Sequence, residues 1–191
     1  YEIFIPSIRK VRRFAEPARD DAWGGSDFTF GDVTLRKPKH DNHELLGKTK
    51  FAGCLGVMKD VKRNKYTQNA KIEADCSVDG KEVYKLKSTA NDANWWYDHR
   101  ISLIDAKTFA DYRTEYFKGG KHIKTIDRSW VSANLDDPRA SYWGYWYGKT
   151  NTTGHETMAF IPSTITKVNH KYKAKNLWST RTLKKMPKKI K

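Results

Sequence analysis

Long apolar runs are missing from this chain of 191 residues. Nothing in it approaches the ~18 consecutive apolar residues that a membrane-spanning helix needs, so it is not expected to span a bilayer by helices. Helical patterning is scarce as well: no stretch of about ten residues repeats apolar side chains at i, i+3, i+4 and i+7. Cysteine is limited to Cys54 and Cys76. That even count permits a disulfide in an oxidising compartment but fits no zinc site. His40 and His43 are close neighbours in a charged loop and lack a second pair of ligands, so no metal is expected there.

Motifs of catalysis are absent too. There is no Gly-x-Ser-x-Gly elbow, no phosphate-cradling glycine loop and no His-Glu-x-x-His pair. Asp20-Asp21 and Asp136-Asp137 are adjacent carboxylates whose side chains point opposite ways on an extended chain, which suits turns better than general acid–base work. His99, beside Asp98 and Arg100, reads as a surface strand histidine. No enzyme activity and no cofactor are expected.

Negative charge is in short supply: 37 Lys and Arg face 22 Asp and Glu, for a net charge of +15. Such a balance attracts phospholipid head groups, nucleic acid or an acidic protein. The excess concentrates in residues 173–191, read here as a basic C-terminal tail that is either solvated or docked on an acidic partner. The chain has no initiator Met and opens on Tyr1-Glu2-Ile3-Phe4-Ile5, a strand-like run, so a preceding segment is expected.

What the sequence does have is alternation. Hydrophobic residues make up 38% and aromatics 13%, enough to fold a core. Tyr112, Thr114 and Tyr116 alternate with Arg113, Glu115 and Phe117, and 122–131 is again β-prone. Between them Gly119-Gly120 supplies the positive φ of a tight hairpin. Val78-Asp79-Gly80-Lys81 predicts a second hairpin, joining strands at 71–77 and 82–88. A third turn is predicted near 151–154, between an aromatic strand at 142–147 and another at 156–161. Ser26 is positioned to cap a short helical turn at 27–31. Strands joined by short turns, without crossover helices, make an antiparallel meander.

The aromatics cluster. Trp95-Trp96-Tyr97 is one group and Tyr142-Trp143-Gly144-Tyr145-Trp146-Tyr147 another. Strict alternation puts Trp143, Tyr145 and Tyr147 on one face and Tyr142 and Trp146 on the other, so each face needs covering. Basic residues among aromatics also suit single-stranded nucleic acid, but the charge is spread along the chain and no RNP-like motif appears, which ranks that reading last.

The order of the motifs carries more. Phe4-Ile5-Pro6-Ser7-Ile8-Arg9-Lys10-Val11-Arg12-Arg13 is followed by Gly25-Ser26-Asp27-Phe28-Thr29-Phe30-Gly31-Asp32. Then come Leu45-Leu46-Gly47, Val78-Asp79-Gly80, the run from Tyr112 to Thr125, and Asn151-Thr152-Thr153-Gly154-His155. This succession, over about residues 1–166, resembles bacterial outer-membrane lipoprotein-sorting (LolA-like) proteins. The resemblance implies a mainly β fold with few short helices: a curved antiparallel sheet forming an incomplete, half barrel. It implies a domain at 1–172, lacking the family's N-terminal strands and helix, with the basic tail at 173–191 outside the pattern.

The resemblance further implies a periplasmic carrier-type protein of the bacterial envelope that holds lipid or lipoprotein acyl chains in the concave face of the sheet. Candidate cavity residues are Ile3, Ile5, Val11, Phe28, Phe30, Ile101, Leu103, Tyr112, Tyr116 and Trp143. Arg9, Arg12 and Arg13 are candidate head-group or partner contacts, and Cys54 and Cys76 a possible disulfide. The alternative is a non-enzymatic scaffold or interaction subunit of a larger envelope assembly, with an acidic protein or an envelope exporter as partner.

Overall fold

The computed structural model describes residues 2–5, 7–59, 72–161, 166 and 179–185. The sequence boundary at 172/173 lies outside the described residues, as does much of the basic tail. The chain divides into two compact units, Tyr1–Ala18 with Lys167–Lys191, and Arg19–Thr166.

The smaller unit contains an antiparallel hairpin, β1 (Glu2–Ile5) and β2 (Lys10–Arg13). Beside it lies a short helix, α1 (Thr180–Lys185), whose Thr180 hydroxyl donates to Glu2 Oε2 at 2.6 Å.

The larger unit is a seven-stranded antiparallel meander in strict chain order. Its strands are β3 (Asp41–Lys50), β4 (Glu82–Ala90), β5 (His99–Asp105), β6 (Asp111–Lys118), β7 (Lys121–Ser132), β8 (Ser141–Thr150) and β9 (Glu156–Phe160). Among the described residues β3 and β9 pair with no further strand, so the curved sheet stays open instead of closing into a barrel. The predicted Gly-Gly hairpin forms between β6 and β7, with φ of 55° and 74° at Gly119 and Gly120. The turn before β9 forms as well: Gly154 N–H donates to Thr150 O and Thr150 N–H to His155 O.

Two local expectations are corrected. The turn at Val78–Lys81 is present, but 72–77 is not a strand and β4 pairs with β3 instead. Asp75 explains this: its carboxylate accepts the Ser77 N–H and hydroxyl and the Ser129 hydroxyl, side-chain bonds that compete with a ladder. Lys71 itself lies outside the described residues. The helical turn after Ser26 starts later, at Gly31–Leu35, its N-cap Phe30 makes no side-chain capping bond, and reciprocal bonds join Thr29, one residue earlier, to Asp32. Thr29 N–H donates to Asp32 Oδ2 (2.9 Å), and Asp32 N–H to Thr29 Oγ1 (3.2 Å).

Both faces of the sheet are covered. Residues 23–35 form a strap across the first, packing Phe28 with Trp95, Tyr97, Tyr116 and Ile126. Residues 51–59 and 72–81 cover one end of the second, burying Phe51, Leu55 and Val78 against Val83, Tyr112 and Tyr145. A Cys54–Cys76 disulfide ties these two segments together.

Candidate functional site

Two β-bulges decide which aromatic side chain meets which face. Leu103 pairs with Arg113 but Ile104 pairs with Asp111, leaving Tyr112 as the extra residue on β6. An extra residue resets the alternation. Tyr112 therefore joins the second core, while Tyr116 stays in the first. Their shared face, expected from alternation, is corrected. On β8, Ser129 pairs with Tyr145 and Trp130 with Trp143, so Gly144 is the extra residue. Trp143 is thereby separated from Tyr145 and Tyr147, against the expectation, and stands beside Trp146 with ring centroids 5.7 Å apart.

This switch builds a cleft. Trp23, Phe28 and Val33 of the strap face Trp143, Trp146 and Ala159 of β8 and β9 across a space of about 70 Å³. Phe28 meets the edge of Trp146 at 5.7 Å. Its ring also lies directly over Gly148, where an added Cβ would come within 2.8 Å of a ring carbon. Trp146 carries the Arg128 guanidinium on its ring at 4.3 Å. Its buried indole N–H has no hydrogen-bond partner among the described residues.

Polar side chains fasten the strap over these rings. Asp27, on the strap, accepts at Oδ2 from His155 Nδ1 (2.6 Å) and the Thr157 hydroxyl (2.6 Å), and at Oδ1 from the Thr150 hydroxyl (2.5 Å). Lys124 Nζ donates to Asp32 Oδ2 at 2.5 Å and to the Asp27 carbonyl at 3.3 Å. Arg36 donates to the Tyr116 hydroxyl at 3.5 Å. Burial alone pushes the Asp32 carboxyl up, but Lys124 and the Thr29 N–H outweigh it and hold it below its usual range. Burial, seconded by Asp32, pushes the Tyr116 hydroxyl up. Two further ion pairs sit on the same face, Arg100 with Asp41 and Arg128 with Asp111, each at 3.0 Å.

Of the candidate cavity residues, the structure brings Phe28 and Trp143 together at the cleft. Tyr116 lies beneath the strap, in the same core as Phe28, and Phe30 is half-buried within the strap. Ile101 and Leu103 flank Ser102, whose hydroxyl pairs with Thr114 on the strapped face, so both point to the opposite face; Leu103 packs on the second core with Tyr112. Ile3, Ile5 and Val11 belong to the hairpin unit, as do Arg9, Arg12 and Arg13, all three exposed. Arg13 pairs with Glu2 at 3.0 Å.

Sequence reasoning did not single out Trp23, Val33, Ala159 or the Asp27–His155 contact, and it placed Trp146 on a sheet face without naming it as a cavity residue. The Asp27–His155 contact had a signal: both residues lie in the motifs that carry the family resemblance. Among the described residues no group of His, Cys, Asp and Glu is arranged to hold a metal ion. None of the described helices is long and apolar enough to cross a membrane.

A family profile described only as an uncharacterized protein matches residues 2–55. No curated protein matches the chain. Among solved structures, one described as an outer membrane lipoprotein-sorting protein domain from Vibrio parahaemolyticus aligns with a TM-score of 0.58 at 16% identity, over 96% of this chain and 65% of that one. A DUF1329 family protein from Desulfovibrio piger aligns with a TM-score of 0.58 at 12% identity, over 95% of this chain and 63% of that one. The chain thus spans somewhat less than two thirds of the length of either. At these identities the likeness concerns the fold, which is LolA-like.

Proposed function

We propose that this chain, built on a LolA-like sheet, is a non-enzymatic lipid- or lipoprotein-binding protein of carrier type in the bacterial periplasm. The observation that carries the reading is the cleft between the strap and β8–β9, lined by Trp23, Phe28, Val33, Trp143, Trp146 and Ala159. Every lining side chain is apolar or aromatic, which suits a methylene chain and little else. The Cys54–Cys76 disulfide supports an oxidising compartment.

Size sets the terms of binding. A space of about 70 Å³ is well below the ~300–1,000 Å³ of ordinary ligand pockets. It accepts the end of a chain, and deeper entry requires the strap to yield.

The ion pairs on the strapped face of the sheet favour a second reading. Asp32–Lys124, Asp41–Arg100 and Arg128–Asp111 fill the covered face with matched side chains. A hollow packed in that way suits a scaffold subunit of an envelope assembly, which needs shape more than cavity.

Lipid extraction and mass spectrometry of protein purified without detergent separate the two, together with titration of a fluorescent fatty acid. The carrier reading expects co-purified acyl lipid and probe binding that Trp143→Ala weakens by about tenfold, the loss of a large aromatic contact. Absence of both lipid and probe binding leaves the scaffold reading.

A further inference from the structure

The hairpin unit has a chemistry that the cleft does not use. In β1–β2, Ile3 stands opposite Arg12 and Ile5 opposite Lys10, so one face of the ribbon interleaves aliphatic and cationic side chains. Phe4 and Val11, paired on the other face, are half-buried, and so is Ile5. Ile3 is 50% exposed and Ile8, at the hairpin tip, 47%. Arg9 beside it adopts the left-handed backbone conformation, φ 51°, and is exposed. On α1, Lys184 and Lys185 close the last turn. The acidic residues among the described part of this unit are Glu2 and Glu16, and Glu2 is already engaged by Arg13 and by Thr180.

We infer that this hairpin is a docking surface for an anionic lipid bilayer. An interface of phosphate head groups over acyl chains satisfies both kinds of side chain at once. Guanidinium and ammonium groups meet the phosphates, and the isoleucines enter the boundary below them. Long basic side chains reach the head groups while their stems lie along the same apolar layer. A nucleic-acid strand would leave the isoleucines without a partner, since base stacking needs rings, and Phe4 is turned to the other face. The surface is distinct from the cleft, and the inference stands whatever the cleft holds.

The test is sedimentation of the full chain with phosphatidylcholine vesicles, with and without phosphatidylglycerol, at low and high salt. Binding is expected only when phosphatidylglycerol is present, and it weakens as salt rises. Lys10→Glu with Arg12→Glu is expected to reduce binding at least about tenfold, given the attraction of each basic residue to such a surface. Ile3→Ser with Ile8→Ser weakens binding and removes the part that survives high salt. Trp143→Ala, which alters the cleft alone, leaves vesicle binding unchanged, so failure of the acyl-chain reading is read separately. Circular dichroism confirms that each variant is folded. Equal binding to both vesicle types, wild-type binding by the Lys10→Glu, Arg12→Glu variant, or binding to an acidic protein or an oligonucleotide with none to vesicles overturns the inference.

Discussion

Asp27 and His155 lie 128 residues apart in sequence, yet the carboxylate of one and Nδ1 of the other meet at 2.6 Å. The carboxylate is nearly closed to solvent, at 4% exposure, while the imidazole is 62% exposed. The buried partner therefore matters more. Asp27→Ala removes an acceptor shared by His155, Thr150 and Thr157 and leaves two hydroxyls without it. A loss of about 2–3 kcal/mol is expected in chemical denaturation, with earlier proteolytic cutting within the strap. His155→Ala, which deletes an exposed partner, is expected to cost less than about 1 kcal/mol.

Gly148 owes its identity to the ring above it. A methyl group there would come within 2.8 Å of Phe28, on a strand with sheet neighbours on both sides. Gly148→Ala is expected to destabilise by about 1–3 kcal/mol through overpacking. Phe28→Leu costs stability on its own by opening a gap. In the double variant the two penalties add to less than their sum, because each relieves the other, and a double-mutant cycle measures that coupling.

The strap also sets an acid limit. Asp32 titrates below its usual 3.8 because Lys124 and the Thr29 N–H stabilise the carboxylate more than burial opposes it. A group depressed in the folded state adds stability that is fully present above its unfolded value and is lost as pH falls through the folded one. Thermal unfolding should therefore show Asp32 contributing in full at neutral pH and its share declining from about pH 4 downward. Asp32→Asn flattens that acid limb. Asp32→Ala leaves Lys124 buried without its partner, at a cost of about 3–5 kcal/mol at neutral pH.

Much of the sheet was legible because its signals are local. Gly119-Gly120 demands positive φ, the turn at 151–154 is fixed by Gly154, and period-two alternation marks the strands on either side. The cleft was legible only in part. Trp143 could be named as a candidate, but its neighbours depend on Gly144 being an extra residue, and a bulge is a property of two strands together. Tyr112 moved to the opposite core for the same reason. Asp75 broke the predicted strand at 71–77 through a bond to Ser129, 54 residues away, which no local pattern records. Trp23 and Val33 entered the site because the strap folds back over β8 and β9, a long-range placement that periodicity does not encode.

Disulfide reduction tests how far the second core stands on its own. Cys54 and Cys76 are 22 residues apart, and their bond closes the connection that covers Phe51, Leu55 and Val78. Closing a loop of that size restricts the unfolded chain by about 3 kcal/mol. The same segment is also fixed to the sheet by side chains: Gly56 N–H donates to Asp127 at 2.6 Å, and Asp127 is gripped by Arg113 through two contacts of 2.7 Å. Those contacts do not depend on the sulfurs. Cys54→Ser with Cys76→Ser is therefore expected to lower stability by about 3 kcal/mol in denaturant while the native fold persists, with near-ultraviolet circular dichroism largely retained. If the signal of the second core collapses at once in reductant, the disulfide and not the Asp127 contacts holds that cover in place. Adding Asp127→Ala to the reduced chain is expected to produce that collapse, because it releases Gly56 and leaves Arg113 without its carboxylate.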